Sequence, residues 1–215
     1  MNDNIKEQLD FHQIITMAWE EFDERHEVEE VVDASPKVST NNVFKVLFKE
    51  REPVFAKLST YGKYDNFREE HIIINNLSNN LEAPYDNFLA HPLVKRNEVF
   101  IYRYSQGKKG AWVVFYNPIR MKTKLPRRLD DKLICMIGKE SARFHRACSN
   151  VSNQLPTSSK NIATDIRDLI RKIDQGKFER LPKEQDLIKK HCEIFLEEIG
   201  KLDYFTDVEK IPVFV

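Results

Sequence analysis

The sequence predicts an α+β fold in which a β-sheet comes first along the chain and helices follow it. Segments rich in β-branched and aromatic residues, which favour strands, occur between residues 28 and 117. Helical periodicity dominates after about residue 129. Such segregation is typical of an α+β architecture or of two lobes. We therefore expect three parts, namely an N-terminal helix in 1–27, a sheet lobe in 28–117 and a helical lobe in 118–215.

Before residue 60 the sequence predicts a helix and three strands. Apolar residues recur at helical spacing over 4–22, and this range should be a helix. Val28–Val32 reads as a short strand, and the polar residues 33–42 read as a loop. Val43–Phe48 and Val54–Ser59 are strands separated by a short turn, which predicts an antiparallel hairpin.

Beyond residue 60 the sequence predicts a second helix, two more strands and then a series of helices. A helix is expected over 66–79, and strands over Asn97–Tyr104 and Ala111–Tyr116, with Gly107–Gly110 as their hairpin connection. Three further helices are expected, over 129–148, 161–175 and 182–200. A last extended segment spans Lys210–Val215.

Composition narrows the classes of function. The chain has 215 residues, of which 41% are hydrophobic, and these can form a substantial core. Its 34 basic residues balance 34 acidic ones, which argues against a nonspecific nucleic-acid binder. Mean hydropathy is −0.55, and no apolar run approaches the roughly 20 residues of a membrane span. The odd number of widely spaced cysteines indicates neither a disulfide framework nor a metal site, and predicts a cytoplasmic protein.

Lys57 is the leading candidate for chemistry because it lies near the end of a short apolar strand, shortly before a helix that carries Glu69 and Glu70. Glu70 shares its helix face with Phe67 and Leu77, whereas Glu69 lies on a different face. A carboxylate on an inward face is costly to desolvate and needs a cationic partner. We therefore predict an ion pair between Lys57 and Glu70.

The order of these features resembles a known group of enzymes. A strand, a polar loop, two strands ending in Lys57, a helix with Glu70 and two more strands resemble the N-terminal lobe of the aminoglycoside phosphotransferase and choline kinase group of the protein-kinase-like fold. The helical segment ending in His145 looks like a further motif of that group. The helix at 182–200 and the extended run Ile211–Val215 are similar to the elements that precede its catalytic loop.

The resemblance implies an ATP site. Lys57 would hold the α- and β-phosphates of ATP, and Glu70 would orient Lys57. Phe115, Tyr116 and Asn117 would form the hinge whose backbone meets adenine. The loop before the second strand would cover the phosphates. That loop has no glycine, so its donors would be the polar groups of Ser39, Thr40, Asn41 and Asn42.

The resemblance also implies what this chain does in a larger protein. In that group the catalytic Asp, an Asn and a metal-binding Asp follow the strand that Ile211–Val215 resembles. We therefore expect no catalytic and no metal-binding residue here, and Mg²⁺ only in an intact protein. The expected reaction is transfer of the ATP γ-phosphoryl group to the hydroxyl of a small molecule. The alternative is a non-catalytic module that binds a nucleotide or a protein partner.

One further cluster leaves two interpretations open. Five basic residues follow the expected hinge: Arg120, Lys122, Lys124, Arg127 and Arg128. Such a run is either a solvated loop or a contact for an anionic substrate or partner.

Overall fold

The helices and strands of the protein follow the predicted α+β order. The computed structural model describes residues 9–35, 41–107, 109–119, 126–156 and 162–201. The helices are α1 Phe11–Phe22, α2 Tyr64–Asn80, α3 Asp131–Asn150, α4 Ile162–Asp174 and α5 Pro182–Lys201, with a 3₁₀ turn at Ser152–Gln154. The strands are β1 Val28–Asp33, β2 Asn42–Phe48, β3 Val54–Ser59, β4 Val94–Lys95, β5 Glu98–Val99, β6 Ile101–Gln106 and β7 Lys109–Tyr116.

Five of the strands form one antiparallel sheet, in the order β1-β2-β3-β7-β6. The predicted hairpin of β2 and β3 is confirmed, with Val43 opposite Lys57. On the other side of β3, Lys57 lies opposite Val114 of β7. The sheet therefore places Lys57 on its central strand. The predicted segment Lys210–Val215 lies outside the described residues.

Several predicted boundaries were wrong because local hydrogen bonds set them. Helix α1 begins at Phe11, since the Asp10 side chain accepts a hydrogen bond from the Gln13 backbone N–H and caps it. Residues 4–8 of the predicted helix lie outside the described residues. Asp130 caps α3 in the same way, so that helix begins at Asp131 and excludes Leu129.

The strand predicted over Asn97–Tyr104 is interrupted. Arg96 and Asn97 both have positive φ, at 55° and 66°, and form the two-residue turn between the short strands β4 and β5. The β6–β7 ladder extends to Gln106 opposite Lys109, which makes their connection shorter than Gly107–Gly110. Gly107 supplies the positive φ, 59°, that this tight turn requires.

The outer face of the sheet packs against α1. Ile15, Ala18 and Trp19 of α1 are completely buried and belong to one cluster with the strand side chains on this face of the sheet. Those strand residues include Phe44, Val46, Val54, Ala56, Leu58, Val113 and Phe115. The Trp19 ring meets that of Phe115 edge-on, with 5.1 Å between centroids. This cluster is the main hydrophobic core of the described residues.

A cluster of charged residues lies at the C-terminal end of α1. Asp23 lies 2.9 Å from both Arg25 Nε and His26 Nδ1, and 3.7 Å from Arg51 Nη1 in the β2–β3 turn. The Arg51 guanidinium also lies over the Trp19 ring, 4.7 Å from its centroid. The Arg25 hydrogen bond, supported by that of His26, holds the pKa of Asp23 well below its usual range.

The described residues form two compact units, one that ends at Pro156 and one that contains α4 and α5. Within the first unit, Phe144 and Cys148 of α3 pack against Leu77 and Leu81 at the end of α2. His145 is half-buried on α3. In the second unit, α4 and α5 contact each other, and Lys189 pairs with Asp174 at 2.6 Å. The domain boundaries predicted at residues 27 and 117 stay predictions.

We predict that Trp19→Ala lowers the free energy of unfolding by about 3 to 5 kcal/mol, because it leaves a cavity between α1 and the sheet. Urea denaturation measures the change. Met17→Ala on the same helix is the control, since Met17 is 38% exposed and its loss should cost under about 0.5 kcal/mol. Equal effects of the two substitutions would contradict the assignment of this core.

We also predict that Asp23→Asn destabilises the fold near pH 7 but not in acid. A carboxyl whose pKa is lowered by folding stabilises the native state above its unfolded pKa of about 3.9, and this stabilisation is lost as the pH falls below it. The unfolding free energies of the wild type and the variant should therefore approach each other as the pH falls from about 4, and coincide only in strong acid, below the lowered native pKa. Glu24→Gln, at an exposed neighbouring position, is the control and should change neither value.

Candidate functional site

The predicted ion pair between β3 and α2 is present. Lys57 Nζ lies 2.7 Å from Glu70 Oε1. Helical periodicity had placed Glu70, rather than Glu69, on the inward face, and Glu70 is the residue that reaches Lys57. The pair joins residues 13 positions apart in the sequence, across the turn from the strand to the helix.

The ion pair is accessible. The side chains of Lys57 and Glu70 are 23% and 35% exposed. Ion pairs at such partly exposed positions contribute only about 0.2 to 1 kcal/mol of stability. An ammonium group has three N–H donors, so Lys57 has the capacity to bind an anion while Glu70 holds it. The pair is therefore a weak source of stability and a well-placed cation.

A buried polar contact lies beside the ion pair. The Tyr116 hydroxyl group, at the end of β7, forms a hydrogen bond with His71 Nδ1 of α2. His71 is completely buried and Tyr116 is 9% exposed. Burial, with a smaller contribution from the Glu70 carboxylate, raises the pKa of Tyr116 far above its usual range. Loss of one partner of a buried hydrogen bond costs about 1 to 3 kcal/mol, more than the exposed ion pair contributes.

Aromatic rings complete the contact between α2 and the sheet. Phe67 meets His71 edge-on, with 4.3 Å between ring centroids, and lies 5.8 Å from Trp112 of β7. Tyr64, at the start of α2, lies 6.1 Å from Trp112. Together these contacts form what we call the α2 seat: Tyr64, Phe67, Glu70 and His71 on the helix against Lys57, Trp112 and Tyr116 on the strands.

The base of the loop between β1 and β2 is held by Ser35. Its Oγ accepts a hydrogen bond of 2.9 Å from the Val43 N–H, and its own N–H donates to Asp33 Oδ1 at 2.8 Å. The Ser35 hydroxyl group and, to a smaller extent, that N–H bond lower the pKa of Asp33. Because Val43 lies opposite Lys57, the loop begins and ends near the ion pair.

The predicted donors of this loop are only partly described. Asn41 directly precedes β2, and Asn42 is its first residue and lies opposite Leu58. Ser39 and Thr40 lie outside the described residues. Since Val43 shares the face of Lys57, Asn42 lies on the opposite face with Leu58, and only the backbone at the end of the loop adjoins the strand of Lys57.

The predicted hinge residues lie at the end of β7, and their backbone is already engaged there. The Phe115 carbonyl accepts a hydrogen bond of 2.7 Å from the Leu93 N–H, and the Asn117 N–H donates to the His91 carbonyl at 3.0 Å. Phe115 is completely buried in the core between α1 and the sheet. An adenine that used these two backbone groups would have to replace both bonds.

The face of the sheet opposite α1, which carries Lys57 and which we call the inner face, is only partly covered beyond the α2 seat. Strand alternation puts Val43 and Lys45 of β2 on the same face as Phe55 and Lys57 of β3, and all four are half-buried. Val32 of β1, opposite Lys45, is 38% exposed. This inner strip, comprising Val32, Val43, Lys45, Phe55 and Lys57, is apolar with two cations. Sequence reasoning missed Lys45 because its face depends on the strand register.

The other candidate residues do not join this site in the described structure. Arg127 and Arg128 are exposed, whereas the remaining three members of the basic cluster lie outside the described residues. Within the described ranges, no three His, Cys, Asp or Glu side chains are grouped as a metal site. None of the helices there has the length and apolar character that a membrane span requires.

Comparison with protein-family models, curated proteins and solved structures found no match for this chain. The resemblance to the phosphotransferase group therefore stays a prediction from the sequence. What the structure adds is the geometry of the ion pair, the α2 seat and the inner strip.

We predict that Tyr116 stays neutral in the native protein at pH 11, since burial opposes phenolate formation. The phenolate absorbance gained between pH 7 and pH 11 should be the same in the wild type and in Tyr116→Phe. The control is the same comparison in urea, where Tyr116 is exposed and Tyr116→Phe should lose one residue's share of the signal. A loss of that size in the native variant would show that the Tyr116 hydroxyl group is not buried.

Proposed function

We propose that this chain binds the phosphates of ATP through Lys57 and is the nucleotide-binding part of an ATP-dependent phosphotransferase. The observation that carries the proposal is the 2.7 Å contact between Lys57 and Glu70. A cation held by a carboxylate beside an accessible sheet face is suited to bind a polyphosphate, because it is fixed in place before the anion arrives.

The inner strip supports the proposal. Its apolar residues Val32, Val43 and Phe55 offer a surface on which a planar base can pack, and Lys45 adds a second positive charge on the same face. The β1–β2 loop leads into β2 at Asn42, one residue before Val43, which lies opposite Lys57. Phosphate and base contacts would then lie on one face of the sheet.

The reaction follows from the family resemblance. In the protein-kinase-like group, the bond between the γ-phosphorus and the β,γ-bridging oxygen breaks and ADP leaves. The acceptor hydroxyl oxygen bonds to phosphorus and gives its proton to the Asp of the catalytic loop. We propose this transfer, to a small-molecule hydroxyl and with Mg²⁺ on the phosphates, for the intact protein. We also propose a cytoplasmic location, which the three free cysteines Cys135, Cys148 and Cys192 support.

The engaged hinge favours a second candidate function, a non-catalytic phosphate-binding module. Because the Phe115 carbonyl and the Asn117 N–H already have partners, the base would contribute little to binding. Such a module would bind inorganic tripolyphosphate as tightly as ATP. A nucleotide site of a phosphotransferase would bind ATP more tightly than tripolyphosphate.

We predict that Mg·ATP raises the melting temperature by roughly 5 to 10 °C at a free concentration 100 times its Kd, since binding to the native state alone then adds about 2.7 kcal/mol of stability. Lys57→Ala should abolish the rise. Lys49→Ala is the matched control, because Lys49 is exposed in the β2–β3 turn at the other end of the sheet.

A wild-type protein whose melting temperature does not respond to Mg·ATP would contradict the nucleotide proposal. The same titration with tripolyphosphate separates the two candidate functions. Tripolyphosphate that matches ATP would favour the binding module over the phosphotransferase.

A further inference from the structure

We infer that His71 and Tyr116 are positioning residues whose buried hydrogen bond holds α2 where Glu70 reaches Lys57. Its importance for nucleotide binding rests on the proposed function, whereas the placement of Lys57 can be measured without a nucleotide. Neither residue belongs to the predicted lysine–glutamate pair, and the role of Tyr116 proposed here is that of its side chain rather than of a hinge backbone.

The register of the strands shows why the two contacts act together. Lys57 lies directly opposite Val114, two residues before Tyr116, so Lys57 and Tyr116 are diagonal neighbours on the inner face. On α2, Glu70 and His71 are consecutive and point about 100° apart around the helix. Glu70 therefore reaches β3 while His71 reaches β7. Contacts to two adjacent strands from adjacent helix positions fix both the rotation of α2 and its position along the sheet.

The difference in burial indicates which contact controls the other. The Lys57–Glu70 pair is partly exposed, and water can replace either partner at little cost. The His71–Tyr116 bond is buried, and removal of one partner leaves a polar group without compensation. Small shifts of α2 out of this register are thus opposed mainly by the buried bond, and the ion pair depends on it.

The aromatic part of the seat has a different role. Phe67 packs on Trp112 through apolar contacts, which are largely non-directional and tolerate small shifts of the helix. The hydrogen bond has the directional preference that these contacts lack. Packing therefore attaches α2 to the sheet, and the buried bond sets its register.

The test measures how fast Lys57 is acylated by an amine-reactive reagent, as a ratio to exposed Lys49 in the same molecule, by peptide mass spectrometry. We expect Tyr116→Phe, which keeps the ring, to raise the ratio by about threefold or more, because Lys57 Nζ is no longer held against Glu70 and becomes more accessible to the reagent. His71→Leu should act in the same direction, and His71→Asn, which keeps a hydrogen-bonding group, should restore most of the wild-type ratio.

Trp112→Phe is the control for a merely structural role. It should lower the melting temperature by weakening the aromatic contacts, and it should leave the ratio unchanged because the buried bond remains. An unchanged ratio in Tyr116→Phe, or an equal rise in Trp112→Phe, would overturn the inference.

The affinity for Mg·ATP separates this inference from the proposed function. We expect Tyr116→Phe to weaken binding by a factor similar to that of Glu70→Gln, and the double variant to be no weaker than either single one. Additive losses would overturn the inference. If the wild type does not bind Mg·ATP, the proposed function fails, and the acylation ratios alone decide whether His71 and Tyr116 position the ion pair.

Discussion

The seating of α2 on the inner face of β3 and β7 is the constraint on which the rest of the site depends. Lys57 is placed by the sheet, but its carboxylate partner is placed only by the position of the helix. Two contacts, one accessible and one buried, join the helix to the sheet there. The accessible ion pair with Glu70 is chemically useful and stabilises little, whereas the His71–Tyr116 bond stabilises more and is inaccessible to a ligand.

The two faces of the sheet differ in how completely they are covered. Trp19 and the other buried residues of α1 close the outer face with a large apolar core, to which most of the fold's stability can be attributed. The inner face is covered by α2 over β7 and part of β3, and the strip from Val32 to Lys57 remains partly exposed. This partly exposed apolar strip with its two lysines is the surface on which we propose that the nucleotide packs.

Local patterns predicted the part of the site that lies close together in sequence. Lys57 and Glu70 are 13 residues apart, and the periods of one strand and one helix suffice to make them face each other. Asn97 was misassigned to a strand because its turn depends on backbone φ rather than on hydrophobic pattern. His71 and Tyr116 are separated by 45 residues, and their contact depends on the strand order, which no local pattern contains. The sequence thus identified the cation but not the contact that holds its partner.

The most direct measurement of the central claim is site-specific labelling with an acyl phosphate of ATP. An amine held beside the bound phosphates attacks the acyl carbon and becomes an amide, and ATP is released. We predict that Lys57 is the principal labelled residue and that excess ATP protects it. Labelling distributed over exposed lysines such as Lys49, without protection by ATP, would contradict the claim that Lys57 binds the phosphates of a nucleotide.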